Sequence, residues 1–220
     1  MQAPRYTKST LYNTIEQFRC AVGITPSDYP IDTRKIAKAG GLAIATHDFI
    51  TRGLKGALVI EGERGYIILD KRENTEEQNF FCGHEMVHYL LHKDKGRSFQ
   101  CFDKAPPNQD SIIEWQANEG AAELIVPYRQ FIPDLLELFN PITAYGNIWS
   151  AFCTLAEKYQ VSDMVIRNRT ENLKYEIYQV ASGISIDSIS ILSKKKQDAL
   201  GIIVPSCYEV GLAKSYLEMA

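Results

Sequence analysis

Two histidines four residues apart, His84 and His88, with a glutamate directly after the first, are the residues best suited to chemistry in this sequence. On an α-helix, positions i and i+4 share one face, with Cβ atoms about 5–6 Å apart. Both imidazoles could then bind one metal ion, and Glu85 could reach a water molecule as a general base. Among chains of this composition, about one in a hundred would contain such a pentapeptide by chance. The HExxH pattern therefore predicts a hydrolytic zinc site that the neighbouring sequence must complete.

A third metal ligand has to come from another part of the chain, because a catalytic zinc ion takes three protein ligands and keeps one position open. The next predicted helix offers Glu114, Glu119 and Glu123. We favour Glu114, which lies near the start of that helix, and Glu123 is the second choice. Asn118 shares the face of Glu114 and could hydrogen-bond a ligand histidine. The alternative role for Glu114 is a capping box with Ser111.

A further histidine, His92, continues the row formed by His84 and His88. Eight helical residues advance about 12 Å, which is too far for His84 and His92 to share one tetrahedral ion. We therefore expect His92 to stabilise the helix end or contact a ligand, and not to bind the metal. Cys82 points away from the ligand face and is expected to be a small buried hydrophobic residue.

The composition is that of an ordinary globular protein of 220 residues, with 45% hydrophobic and 23% charged residues. A formal net charge of −3 gives no general attraction to nucleic acid or to anionic membranes. The five cysteines are odd in number and form no CxxC pair, which favours a reducing cytoplasm over a disulfide framework. No signal-like or membrane-spanning apolar run is present, so we expect neither secretion nor a membrane role.

The hydrophobic pattern around the motif predicts an α+β, zincin-like fold. Two helices open the chain, and a small sheet of strands near residues 42–46, 57–60 and 66–69 follows. A capping box that begins at Thr75 starts the motif helix, which runs to about His92 and faces inward. The next helix extends from Asp110 or Ser111 to Val126 and ends before a proline.

A mainly helical C-terminal part is expected after this second helix. Helices fit residues 128–139, 145–159 and 162–175. We therefore predict a zinc metallopeptidase domain over residues 1–140 and a helical segment over 141–176. Residues 177–220 form a third segment, to which no fold is assigned.

The residues from about 155 to 175 have the pattern of a helix-turn-helix, in which Ser162 caps the second helix. Three basic residues could face phosphate, but three acidic residues dilute their charge, so a structural or substrate-docking role is favoured over DNA contact. The basic residues are Arg167, Arg169 and Lys174, and the acidic ones are Asp163, Glu171 and Glu176.

Three stretches of the sequence together resemble a known family. A hairpin of residues 53–60 and 65–69 precedes the motif, the motif helix continues with Leu-His at 91–92, and the next helix reads EWQANEGAAELIVP over 114–127. In this order they resemble the ImmA/IrrE family of metallopeptidases, whose third-ligand helix typically reads E-x-E-A-N-x-F-A-A-x-L-L-M-P. The resemblance covers about residues 31–131.

The resemblance implies a complete catalytic site. His84, His88 and Glu114 would bind the metal, and Glu85 would be the base. Zinc is the implied ion, and manganese is the alternative, because availability as well as affinity decides which metal is loaded.

Two positions depart from the family pattern. Val87 stands where the family often has glycine, and Gly120 stands where it has an aromatic residue. Neither departure removes a ligand. The bulkier Val87 is expected to narrow the cleft or to alter the packing of the neighbouring strand.

Characterised members of this family are encoded in mobile elements or stress-response loci, and they look like endopeptidases that cleave a helix-turn-helix repressor. The resemblance therefore implies a cytoplasmic zinc endopeptidase that cleaves a DNA-binding repressor and derepresses its genes. The alternative is a non-catalytic zinc-fold regulator that binds a partner protein or DNA through residues 145–175. The complete set of ligands and base favours catalysis, since a binding module has no need of a base.

Overall fold

The computed structural model describes residues 6–102 and 109–218. They divide into two compact units, one built mainly from Leu11–Ile125 and the other from Val126–Ala220 together with Thr7–Thr10. The domain boundaries at residues 140 and 176 remain a prediction. Within the described parts of the chain, no helix has the length and apolar character needed to cross a membrane.

The first unit contains a four-stranded mixed sheet in the order β1-β3-β2-β4. Strand β1 is parallel to β3, whereas β2 runs antiparallel to both β3 and β4. The bounds are β1 Ala43–His47, β2 Leu54–Glu61, β3 Arg64–Asp70 and β4 Ser98–Phe102. The three predicted strands are confirmed as β1, β2 and β3. Strand β4 was not predicted from the sequence pattern.

Alternation along the strands gives the sheet one buried face. Leu58 of β2 pairs with Ile67 of β3, and both side chains are fully buried. Neighbouring residues in each strand, such as Val59 and Ile68, point to the other face and are only half-buried. Period-2 alternation of this kind is typical of a sheet that packs on one side. The buried face packs against the helix that carries the histidine motif.

The first unit also contains helices. Two of them precede the sheet in the chain, and a third packs on its buried face. They are α1 Lys8–Ala21, α2 Thr33–Ala39 and α3 Thr75–His92. Thr75 was predicted to cap the motif helix, but the cap is the preceding residue. The Asn74 side chain accepts the hydrogen bond from the Glu77 backbone N–H. Asn74 is an efficient N-cap, since its side-chain oxygen satisfies a backbone donor of the first turn.

Helix α4 (Ser111–Ile125) packs against α3 and completes the first unit. Its two most buried carboxylates are Glu119 and Glu123. The Tyr12 hydroxyl of α1 donates a hydrogen bond to Glu119, and Arg19 of α1 donates to the Leu124 backbone carbonyl. These bonds fix α1 on α4.

The second unit is mainly helical, as expected. It contains α5 Tyr128–Leu138, a short ribbon of β5 Phe139–Asn140 and β6 Tyr145–Gly146, then α6 Ile148–Tyr159, α7 Asp163–Asn172, α8 Lys174–Ala181, α9 Lys194–Ala199 and α10 Cys207–Glu218. The helix predicted from residue 145 begins later, because the Asn147 side chain caps it. The helix predicted over 162–175 ends near Leu173, and a separate helix follows.

The basic residues of the helix-turn-helix-like segment are engaged within the second unit. The Arg167 guanidinium lies over the rings of Trp149 and Tyr208, at 5.3 and 4.9 Å from their centroids. Arg169 is buried and donates to the Val126 backbone carbonyl. These contacts stabilise the helical unit and leave both guanidinium groups committed, which agrees with a structural role for this segment.

Candidate active site

His84 and His88 lie one turn apart on α3, and their side chains are fully buried beneath the sheet. Their Nε2 atoms face each other at 3.0 Å. Helical spacing places the two rings on one face, with ring centroids 4.7 Å apart. The two nitrogens therefore meet at one point, as a shared metal ion would require.

Glu114 supplies a carboxylate at the same point from the first turn of α4. Its Oε2 lies 3.5 Å from His84 Nε2, and its Oε1 lies 3.5 Å from His88 Nε2. The helix start is capped by Asp110, whose Oδ1 accepts the Ile112 backbone N–H at 2.9 Å. Asp110 and not Ser111 therefore caps the helix, so the alternative capping box of Ser111 with Glu114 does not form.

The structure also separates Glu114 from the other two carboxylates considered. Within the described chain, the donor atoms of His84, His88 and Glu114 form a group that lies within 4.8 Å, and neither Glu119 nor Glu123 belongs to such a group. Glu119 instead accepts from Tyr12. Glu119 and Glu123 are four residues apart and share one face of α4, whereas Glu114 lies on a different face, the one that meets the two histidines.

Glu85 is fully buried next to the ligand pair. Among the residues that the structure describes, none makes a hydrogen bond to either of its carboxylate oxygens. Burial raises the pKa of Glu85 well above its usual value, and the negative charge of Glu114 raises the pKa further. A buried carboxylate without partners is costly in a site with no function, so this group is a strong candidate for the catalytic base.

Gly56 of β2 provides the space for this carboxylate. A Cβ atom at Gly56 would lie 3.1 Å from Glu85 Oε1 and 3.6 Å from Glu85 Cγ. Contacts this short would force the glutamate to move. The absence of a side chain at Gly56 therefore lets the sheet approach the motif helix closely at the point where Glu85 faces it.

Strand β4 adds two side chains that the sequence analysis did not assign to the site. The Phe99 ring stacks on the His88 ring, with centroids 4.5 Å apart and an interplanar angle of 18°. Cys101, two residues further along the same face, has its thiol within 4.8 Å of donor atoms of His84 and Glu85. Alternation of Phe99 and Cys101 was the available signal, but nothing in the local sequence places this strand above the motif.

The Nδ1 atom of His84 lies 2.9 Å from Asn118 Oδ1 on α4. An amide oxygen only accepts hydrogen bonds, so His84 carries its proton on Nδ1 and presents a lone pair on Nε2. The predicted contact between Asn118 and a ligand histidine is present. Asn118 thus orients the ligand that it contacts.

Replacing Asn118 with leucine is expected to weaken zinc binding by about tenfold, the lower end of the usual range for such contacts. Asn118 is solvent-exposed, so a water molecule can replace part of the lost acceptor. Asn118→Asp retains an acceptor oxygen and should bind zinc at least as tightly as the wild type. Competition with a chromophoric chelator measures both affinities, and equal weakening by leucine and aspartate would contradict the hydrogen-bonding role.

His92 is the third histidine of the row, and it lies beside the ligands without joining the metal group. Its Nδ1 is 3.0 Å from His88 Nδ1, and its Nε2 is 2.8 Å from Gln116 Oε1. Burial lowers the pKa values of both His88 and His92, so both rings are neutral. The expectation that His92 contacts a ligand agrees with these distances. Cys82 is buried, and burial raises its thiol pKa to about 12.

The two departures from the family pattern contact each other. A Cβ atom at Gly120 of α4 would lie 2.9 Å from Val87 Cγ1 and 3.2 Å from Val87 Cγ2. The glycine therefore makes room for the branched valine of α3. The small residue on α4 therefore allows the two helices to approach each other closely at this point.

Replacing Gly120 with alanine is expected to lower the free energy of unfolding by about 1–2 kcal/mol, because overpacking against Val87 outweighs the better helix propensity of alanine. In a Val87→Ala background the same change should be neutral or stabilising, since the valine methyl groups are gone. Urea denaturation of the four proteins gives the coupling energy. The same cost in both backgrounds would show that Val87 is not the residue that Gly120 accommodates.

The donor atoms fit a zinc ion. Two imidazole nitrogens and one carboxylate converge, and this set of three protein ligands is the type found in catalytic zinc sites. His84 also directs a lone pair at the point where the donors meet, which only a cation or a proton would stabilise. Imidazole donors suit zinc, whereas manganese prefers sites richer in oxygen.

Comparison with known proteins agrees with the sequence resemblance. The sequence model of the IrrE N-terminal-like domain, peptidase family M78, matches residues 37–171. Among curated proteins no match was found. A solved structure of a Mycobacterium tuberculosis transcriptional regulator is similar over 74% of this chain and 47% of its own, with 12% sequence identity and a TM-score of 0.49. This chain thus spans about half the length of that protein.

The family match covers all four residues of the predicted site, and it includes the sheet, α3, α4 and most of the helix-turn-helix-like segment. The predicted α+β fold and the predicted relationship are confirmed. With more than half of its length matched, the chain belongs to peptidase family M78, whose members carry the IrrE N-terminal-like domain.

Proposed function

We propose that this protein is a zinc-dependent endopeptidase that cleaves a specific protein substrate. The convergence of His84, His88 and Glu114 beside a buried carboxylate, to which no residue of the described chain makes a hydrogen bond, carries the proposal. A site that only held a structural metal would have no need of Glu85 in this position. Membership in a peptidase family supports the same reaction class.

The residues of the site have separate tasks in this reaction. His84, His88 and Glu114 would hold zinc, which supplies Lewis-acid polarisation of the peptide carbonyl and of water. Glu85 accepts a proton from the attacking water and returns it to the departing amide nitrogen, so that the C–N bond breaks and two termini form. The Phe99 ring covers the His88 ring, and Gly56 leaves room for the Glu85 carboxylate.

We further propose that the substrate is a helix-turn-helix repressor in the cytoplasm, and that its cleavage derepresses the genes it controls. This part rests on the family to which the chain belongs and on the likeness of its motifs to ImmA/IrrE peptidases. The engaged arginines of the second unit favour protein recognition over direct DNA binding by that unit.

The experiment is incubation of the zinc-loaded protein with the repressor encoded beside its gene. Mass spectrometry should detect two complementary fragments from a single cleavage site. A chelator-treated sample and an unrelated repressor with the same type of DNA-binding domain are the controls, and both should leave the substrate whole. An intact repressor in the presence of either zinc or manganese would contradict the proposed substrate.

A further inference from the structure

A line of buried hydrogen bonds extends from α4 into the metal site. Gln116 Oε1 lies 2.8 Å from His92 Nε2, and His92 Nδ1 lies 3.0 Å from His88 Nδ1. His88 Nε2 then faces the site. All three side chains are fully buried, so no bulk water can replace any member of the line.

The direction of these bonds follows from the group at the buried end. The amide oxygen of Gln116 only accepts, so His92 must carry its proton on Nε2. A neutral His92 then has a lone pair on Nδ1, which can only accept. His88 must therefore carry its proton on Nδ1 and present the lone pair of Nε2 to the metal site.

The opposite arrangement would disable the ligand. A proton on His88 Nε2 would point at His84 Nε2, where the metal belongs. His92 Nδ1 would then have to donate a hydrogen bond to His88. The Nε2 atom of His92 would be unprotonated, and it would face the Gln116 oxygen, so that two acceptors would meet without a proton between them. An unsatisfied buried contact of this kind costs about 1–3 kcal/mol. A cation between the two ligand histidines relieves the facing lone pairs of their Nε2 atoms, so the arrangement that also satisfies Gln116 is the one that suits metal binding.

We propose that Gln116, acting through His92, is a positioning residue that holds His88 in the tautomer able to bind the metal. Asn118 performs the same task for His84 in a single step. The two ligand histidines are thus set by two residues of one helix, α4, which also supplies Glu114. The proposal rests on the metal site of the proposed function, but it does not depend on peptide cleavage.

The first test is performed on the metal-free full-length protein, with ¹⁵N-labelled histidine. Long-range proton–nitrogen correlation spectra distinguish protonated from unprotonated ring nitrogens. We expect His88 to be protonated on Nδ1 and His92 on Nε2 at neutral pH. In Gln116→Met, which keeps the size of the side chain but has no strong acceptor, His88 should become a mixture of tautomers. A wild-type His88 that is protonated on Nε2 would overturn the proposal.

The second test is zinc affinity, measured by chelator competition. Gln116→Met and His92→Leu should each weaken zinc binding by about 100-fold, the upper end of the usual range, because water cannot reach the lost contact to the ligand histidine. His92→Gln offers an amide oxygen to His88 Nδ1. It should therefore bind zinc at least tenfold more tightly than His92→Leu does. No recovery, or no loss in Gln116→Met, would overturn the proposal.

Gln78→Met is the matched control for folding. Gln78 is a buried glutamine near the start of α3, and its amide donates to the backbone carbonyls of Asp70 and Glu73. This variant should lose stability without changing the tautomer of His88 or the affinity for zinc. A loss of zinc affinity equal to that of Gln116→Met would assign the effect to stability and overturn the proposal. Because none of these measurements uses a substrate, failure to cleave a repressor leaves their outcome unaffected.

Discussion

Glu85→Gln should lower the rate of peptide cleavage by about 10²–10⁴-fold, the usual contribution of a positioned general base. Glutamine has the shape of glutamate but cannot accept the proton from the attacking water. The variant should still bind zinc, because the three ligand side chains are unchanged. Its folded state should be at least as stable as the wild type, since the change removes a buried carboxylate that has no hydrogen-bond partner in the described chain.

Single-turnover cleavage of the repressor, with zinc content measured in the same samples, checks this expectation. Glu119→Gln is the matched control, because Glu119 is a buried carboxylate of the same unit and its hydrogen bond from Tyr12 can be kept by an amide oxygen. The control should retain cleavage. Equal rates for the wild type and Glu85→Gln would remove Glu85 from the mechanism.

Glu114→Gln should abolish most of the stabilisation that zinc gives to the folded protein. A ligand present at 100 times its Kd stabilises a protein by about 2.7 kcal/mol. At the same zinc concentration, a variant with a 100-fold weaker Kd gains only about 0.4 kcal/mol. An amide is a much poorer zinc ligand than a carboxylate, so the zinc-dependent increase in Tm should nearly disappear.

Glu123→Gln provides the comparison for this prediction. Both residues lie on α4, and both were candidates for the third ligand, but only Glu114 is within reach of the two histidines. Thermal denaturation with and without zinc should therefore show a full shift for Glu123→Gln and a small one for Glu114→Gln. A reversed result would assign the third ligand to Glu123.

Much of the site could be predicted because its information is local. Helical periodicity alone places His84 and His88 on one face, and the distance along a helix removes His92 from the ligand set. The positions of β1 to β3 and of the two ligand-bearing helices follow from periodicity, caps and glycines. The main error was local too, because Asn147 ends the β5–β6 ribbon and caps α6 later than the apolar pattern indicates.

The choice among three glutamates could not be made by spacing alone. Glu114, Glu119 and Glu123 all lie on one helix, and which of them meets the histidines depends on how α4 is rotated against α3. That rotation is set by packing, including the contact between Val87 and Gly120. Two residues that looked like separate departures from a family pattern are one packing arrangement.

By itself, the sequence determined the motif on which the proposed chemistry depends, two histidines with a neighbouring glutamate, and it also indicated the α+β fold that presents it. Only the tertiary structure decided which carboxylate lies beside the two histidines, that β4 brings Phe99 over His88, and that Gln116 reaches His88 through His92. The physical reason is the distance along the sequence over which each kind of interaction acts. Helix periodicity and capping act within a few residues, whereas these contacts join residues far apart in sequence, and packing of the buried faces alone sets them.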